Sequence, residues 1–76
     1  MLDRITFDAN LMGGRACIRG MRITAALVVN LVDNGMTIDE IIREYPDLDA
    51  GDLRQALSYA SALANEEVQP LPQSGG

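Results

Sequence analysis

The chain has 76 residues, a net charge of −5, no histidine, no lysine and one cysteine. A core this small supplies only roughly 3–5 kcal/mol of net stability, so such domains lean on disulfides, metals or oligomerisation. Cys17 has no partner for a disulfide, and without histidine or a second cysteine a zinc site is not expected, which leaves a dimer or a partner that completes the fold.

The N-terminus has no apolar run of signal-peptide type, and the longest apolar stretch, Ala25 to Val29, is far too short for a bilayer. With the lone cysteine, this predicts a cytoplasmic protein.

Arg4-Ile5-Thr6-Phe7-Asp8 alternates polar and apolar residues, the period of a half-buried strand with Ile5 and Phe7 inward. Ala9 to Gly14 is turn-rich and ends in a glycine pair. Arg15-Ala16-Cys17-Ile18-Arg19 alternates again, with Ala16 and Ile18 inward and Arg15, Cys17 and Arg19 outward. The two runs predict a β-hairpin, which is marginal unless helices or a second copy cover it.

Thr24 is a good N-cap for a first helix over Ala25 to Asn34. That helix is apolar nearly all round, so it is expected to be central and buried, with Asn34-Gly35 as its stop. Thr37-Ile38-Asp39-Glu40 is a capping box for a second helix, whose Ile38, Ile41, Ile42 and Tyr45 form one apolar stripe ended by Pro46. Asp49 caps a third helix with Asp52 in its first turn and Leu53, Ala56, Leu57, Ala60 and Ala64 on its buried face, Leu63 beside them. The expected architecture is mainly α: a short N-terminal β-hairpin and three helices, the second and third spaced as a helix-turn-helix, in a domain expected to be dimeric. The single domain covers 1–66, and 67–76, without periodicity, is read as a flexible C-terminal tail.

No catalytic constellation is visible, and Gly13-Gly14 leads into a strand, so it lacks the helix N-terminus of a phosphate-binding loop. The chain is therefore expected not to be an enzyme and to carry no cofactor. Asp39, Glu40, Glu44 and Asp52 are read as exposed acids serving capping and solubility rather than a metal.

Charge is polarised. Met1 to Val32 holds four arginines and two acids, and Asp33 to Gly76 two arginines and nine acids, so the halves carry +2 and −7. Arg4, Arg15 and Arg19, with Arg22 close by, form a basic hairpin face. It suits DNA, an acidic protein surface bound by guanidinium–carboxylate forks, or the chain's own acids. In a helix-turn-helix reading, Arg54 and Gln55 on the third helix are the base-reading candidates, with Asp47, Asp49 and Asp52 opposing phosphate. Cys17 is read as a small residue at a strand interface.

Arg4 to Asp8, Gly13-Gly14-Arg15-Ala16-Cys17-Ile18-Arg19-Gly20-Met21-Arg22-Ile23, Gly35 to Ile42 and Tyr45 to Leu48 together resemble the bacterial and archaeal domain-of-unknown-function family 433. The resemblance spans about Arg4 to Ala64. It departs from the family's usual prolines at Ala16 and at Thr24 or Ala25. It implies a helix-turn-helix or winged-helix-like domain and a VapB-type antitoxin that neutralises a PIN-like, metal-dependent ribonuclease toxin. An arginine entering that nuclease's carboxylate cluster would displace its metal, with Arg19 and Arg22 the first candidates, then Arg15 and Arg4. The expectation is thus a dimeric antitoxin that binds a nuclease and represses its own operon. The alternative is a stand-alone DNA-binding regulator.

Overall fold

A computed structural model describes residues 2–67. A two-stranded antiparallel hairpin, β1 (Ile5–Thr6) and β2 (Cys17–Ile18), precedes three helices, α1 (Ala25–Asp33), α2 (Ile38–Glu44) and α3 (Ala50–Glu67). None of these helices is long and apolar enough to cross a membrane. The expected tail, apart from Glu67, lies outside the described residues.

The strands are shorter than the alternation predicts. Ile5 pairs with Ile18 and Thr6 with Cys17, and there the ladder ends. Between them a single 3-10 turn, Met12–Gly14, reverses the chain with Gly13 and Gly14 at φ 68° and 83°. Two facing calls are corrected. Phe7, expected inward, is 61% exposed, because the strand stops before it. Cys17, expected outward, is buried. The reason is a third lane: Cys17 bridges Thr24, Ile18 N–H donates to Ile23 O at 2.9 Å, and Ala25 N–H donates to Ala16 O at 2.9 Å. With β1 along one edge of β2 and the Ile23–Ala25 chain along the other, Cys17 has no open flank.

The helix ends follow their local chemistry. Thr24 Oγ1 accepts from Leu27 N–H at 3.0 Å, and Gly35, at φ 94°, supplies the left-handed stop after α1. In α2, Thr37 Oγ1 accepts from Glu40 N–H and Glu40 Oε1 accepts from Thr37 N–H, a complete capping box.

Ile18, Ala25, Val28, Ile41, Leu48, Leu53 and Ala56 form the core, with α1 packed along α3. Two expectations about helix faces fail. In α1 only Ala25 and Val28 are buried, while Ala26 and Asn30 are exposed and Leu27, Val29, Leu31 and Val32 are half-buried. In α3 the apolar face is covered near its start, where Leu53 and Ala56 are buried, whereas Leu63 and Ala64 farther along are exposed.

Candidate functional site

The polar centre of the molecule is Asp52. The sequence placed it among exposed acids; its side chain is 0% exposed. It stands three residues after Asp49, and each carboxylate caps the other's backbone. Asp49 Oδ1 accepts from Asp52 N–H at 2.8 Å, and Asp52 Oδ2 accepts from Asp49 N–H at 3.0 Å. This is the capping-box device built from two aspartates at the start of α3.

Two arginines of the hairpin close on the same carboxylate. Arg19 forks it, with Nε donating to Oδ1 at 3.0 Å and Nη2 to Oδ2 at 2.8 Å. Arg19 Nη2 also donates to the backbone oxygen of Asp47 at 2.7 Å. Arg4 Nη1 reaches Asp52 Oδ1 at 3.1 Å and pairs with Asp49. Arg4 N–H donates to Gln55 Oε1 at 2.8 Å, and Gln55 Nε2 donates to Asp3 at 2.8 Å. Hairpin and third helix are thus joined by charge-assisted bonds as well as by core packing.

The backbone is shaped for this. Arg19 lies at φ 47°, a left-handed conformation that costs a side-chain-bearing residue of order 1–2 kcal/mol. Its N–H donates to Arg4 O at 2.7 Å, so the paired ends of the two strands present both guanidinium groups. Thr6 Oγ1 accepts from Gly20 N–H at 2.8 Å and pins the residue after that turn. Gly51 leaves the space: a Cβ there would stand 2.5 Å from Arg4 Nη1 and 2.8 Å from its Cζ.

Hydrogen bonding from Arg19, with further help from Asp49 N–H and Arg4, outweighs burial and lowers the Asp52 pKa to about 2. Asp49 is lowered by the Asp52 backbone N–H and by Arg4, and Arg4 and Arg19 are raised by the carboxylates they hold. A carboxylate with four donors and so low a pKa is a poor proton acceptor at neutral pH. Its chemistry is that of a clamp.

Of the residues the sequence singled out, Arg4, Arg19, Asp52 and Gln55 converge here. Arg15, Arg22 and Arg54 do not. All three are exposed and form no ion pair among the described residues. Arg22 Nη1 lies 3.8 Å from Met12 Sδ. Asp39, Glu40 and Glu44 are exposed, as the sequence implied. Sequence reasoning missed Thr6 and Gly51. For Gly51 a signal existed: a glycine inside the first turn of a helix, where a helix former would serve better unless something needs the room.

The second feature is apolar. A groove of roughly 470 Å³ runs between α1 and the C-terminal half of α3, lined among others by Ala25, Val29, Tyr59, Ala60, Leu63 and Ala64 and by Arg15.

Residues 5–60 match the family described as "Protein of unknown function (DUF433)". A solved structure, the 2.00 Å crystal structure of a DUF433 member protein from Anabaena variabilis, is 33% identical with a TM-score of 0.75. The match covers 84% of this chain and 61% of that one, so this chain spans less than two-thirds of that relative's length. No curated protein matches the chain.

Proposed function

The chain belongs to the DUF433 family of proteins of unknown function, and from that premise we propose that it is a protein-binding module, the antitoxin of a toxin–antitoxin pair that neutralises a PIN-like ribonuclease. The supporting observation is the sorting of the hairpin arginines. Arg4 and Arg19 are held by Asp52, whereas Arg15 and Arg22 are exposed and form no ion pair among the described residues.

In this reading Arg22 is the group offered to the nuclease. It sits on the short turn after Arg19, whose position the clamp fixes, and Met21 N–H donates back to Ile18 O at 2.8 Å. A guanidinium on a braced turn forks a carboxylate cluster with little ordering cost and neutralises the charge that would hold a metal. Arg19, the other leading candidate by sequence, becomes the residue that positions Arg22, because its own fork is filled.

The alternative, a winged helix-turn-helix regulator with α3 in the major groove, has less support. The start of α3 carries Asp49 and Asp52, and Gln55 is already bonded to Arg4 and Asp3. Of the base-reading candidates only Arg54 is exposed.

The test is co-expression with the product of the adjacent gene, followed by purification and a ribonuclease assay. A stoichiometric, inactive complex is expected, with activity regained when Arg22→Ala replaces the native chain. Recovery of the chain alone would sink the antitoxin reading. A salt-sensitive complex with promoter DNA would then favour the regulator.

A further inference from the structure

The arginine clamp and Arg22 leave the apolar side of α1 unexplained. We propose that the groove between α1 and α3 is filled by α1 of a second copy of this chain, packed antiparallel about a two-fold axis passing near Val29 and Asn30. This goes beyond the nuclease reading, whose contact lies at Arg22, and it is tested without any partner.

The outward stripe of α1 is Ala26, Val29, Asn30 and Asp33, at i, i+3, i+4 and i+7. Ala26, Asn30 and Asp33 are exposed and Val29 is half-buried. Val29 is the large apolar side chain of that stripe, and the described residues leave it partly in water. The groove beside the stripe is walled by Ala26, Ala60 and Ala64, small residues that let another helix come to an axis separation of about 8–10 Å. The occupant that fits is helical and apolar.

Charge identifies which helix. Arg15 lies at the groove beside the N-terminus of α1, because Ala25 N–H donates to Ala16 O at 2.9 Å. Asp33 is the last residue of α1, seven residues or about 10 Å beyond Ala26 along the axis. Both are exposed and neither forms an ion pair among the described residues. An antiparallel copy brings its Asp33 against Arg15 and its Arg15 against Asp33, so two-fold symmetry makes the pair twice. It also puts Asn30 near the axis, where carboxamides donate and accept in turn and so match their own copy. A parallel copy would set arginine beside arginine.

The first experiment is sedimentation equilibrium of the full chain at tens of micromolar, where a dimer of twice the 8.2 kDa chain mass is expected. The second uses Arg15→Asp and Asp33→Arg. Each alone sets like charges together at both symmetric positions and should weaken the dimer about tenfold or more. An equimolar mixture of the two variants should restore native affinity, because each then supplies the charge the other lacks. Circular dichroism of both variants checks that the helices persist, which the exposure of both positions predicts. A monomeric native chain overturns the proposal. So does a dimer indifferent to both reversals, or a mixture that stays as weak as its components.

Discussion

Two faces of α3 handle their needs in opposite ways. At its N-terminus, Asp49 and Asp52 cap each other and hold Arg4 and Arg19, and among the described residues every buried side-chain nitrogen and oxygen has a hydrogen-bond partner. Toward its C-terminus, Tyr59, Ala60, Leu63 and Ala64 line a groove that the other described residues do not fill. The first region is complete within one chain and tells of stability. The second is incomplete, and a binding role is sought where a chain leaves its own requirements unmet.

The comparison breaks most visibly at Asp52. Asp52→Ala leaves the Arg19 guanidinium without its carboxylate and Arg4 with Asp49 alone, and it removes half of the reciprocal cap on α3. Breaking a buried pair costs up to about 5 kcal/mol, and here on the order of 3 kcal/mol, because both arginine side chains remain partly in water. That is comparable to the whole stability of so small a domain, so loss of the cooperative thermal transition by circular dichroism is expected. A variant that melts like the native chain would show the clamp to be ornamental.

Acid does the same by degrees. The folded pKa of Asp52 is about 2 against an ordinary 3.8, so the folded state holds its charge more tightly than the unfolded chain. A depressed carboxylate pKa stabilises fully above the unfolded value and is lost as pH falls through the folded one. The contribution is about 2 kcal/mol, present above roughly pH 5 and fading between about pH 4 and pH 2. A urea midpoint measured against pH should fall across that window, and more shallowly in Asp52→Asn.

Much of the fold was legible because its signals are local. Thr24, Thr37 and Asp49 each announced a helix start, and the Gly13-Gly14 and Asn34-Gly35 pairs announced reversals. The clamp was legible only as a complementary pair of charge halves. Choosing Asp52 among nine acids requires knowing that α3 begins against the hairpin, which is a tertiary fact linking positions 33 residues apart. Cys17 was misread for a related reason: alternation assigns two faces to a strand, but it cannot see the chain returning along the strand's other edge. The open side of α1 was invisible for the opposite reason, since hydropathy shows that a helix wants enclosure and says nothing of which chain supplies it.

Phe7 gives a smaller test, at the margin between the two regions. Its ring lies 5.9 Å from that of Tyr59, tilted by 60°, with most of its surface in water. Phe7→Ala should cost about 1 kcal/mol by chemical denaturation, the worth of one aromatic contact, rather than the roughly 3–5 kcal/mol of a core phenylalanine. A core-sized loss would mean that the strand-end side chain is enclosed in solution.

The least disruptive substitution is the sharpest. Leu63 is 39% exposed on the wall of the groove. If the groove matters only between copies, Leu63→Gln removes nothing the single chain uses, and the stability of the dilute monomer should stay within about 0.5 kcal/mol of native. The same substitution places a polar amide where a second α1 would pack, so self-association should weaken at concentrations where the native chain is dimeric. Equal loss in both measurements would make Leu63 an ordinary core residue. No loss in either would leave the wall without an occupant. Loss of association alone would separate the two faces of α3 into one that holds the chain together and one that joins it to another.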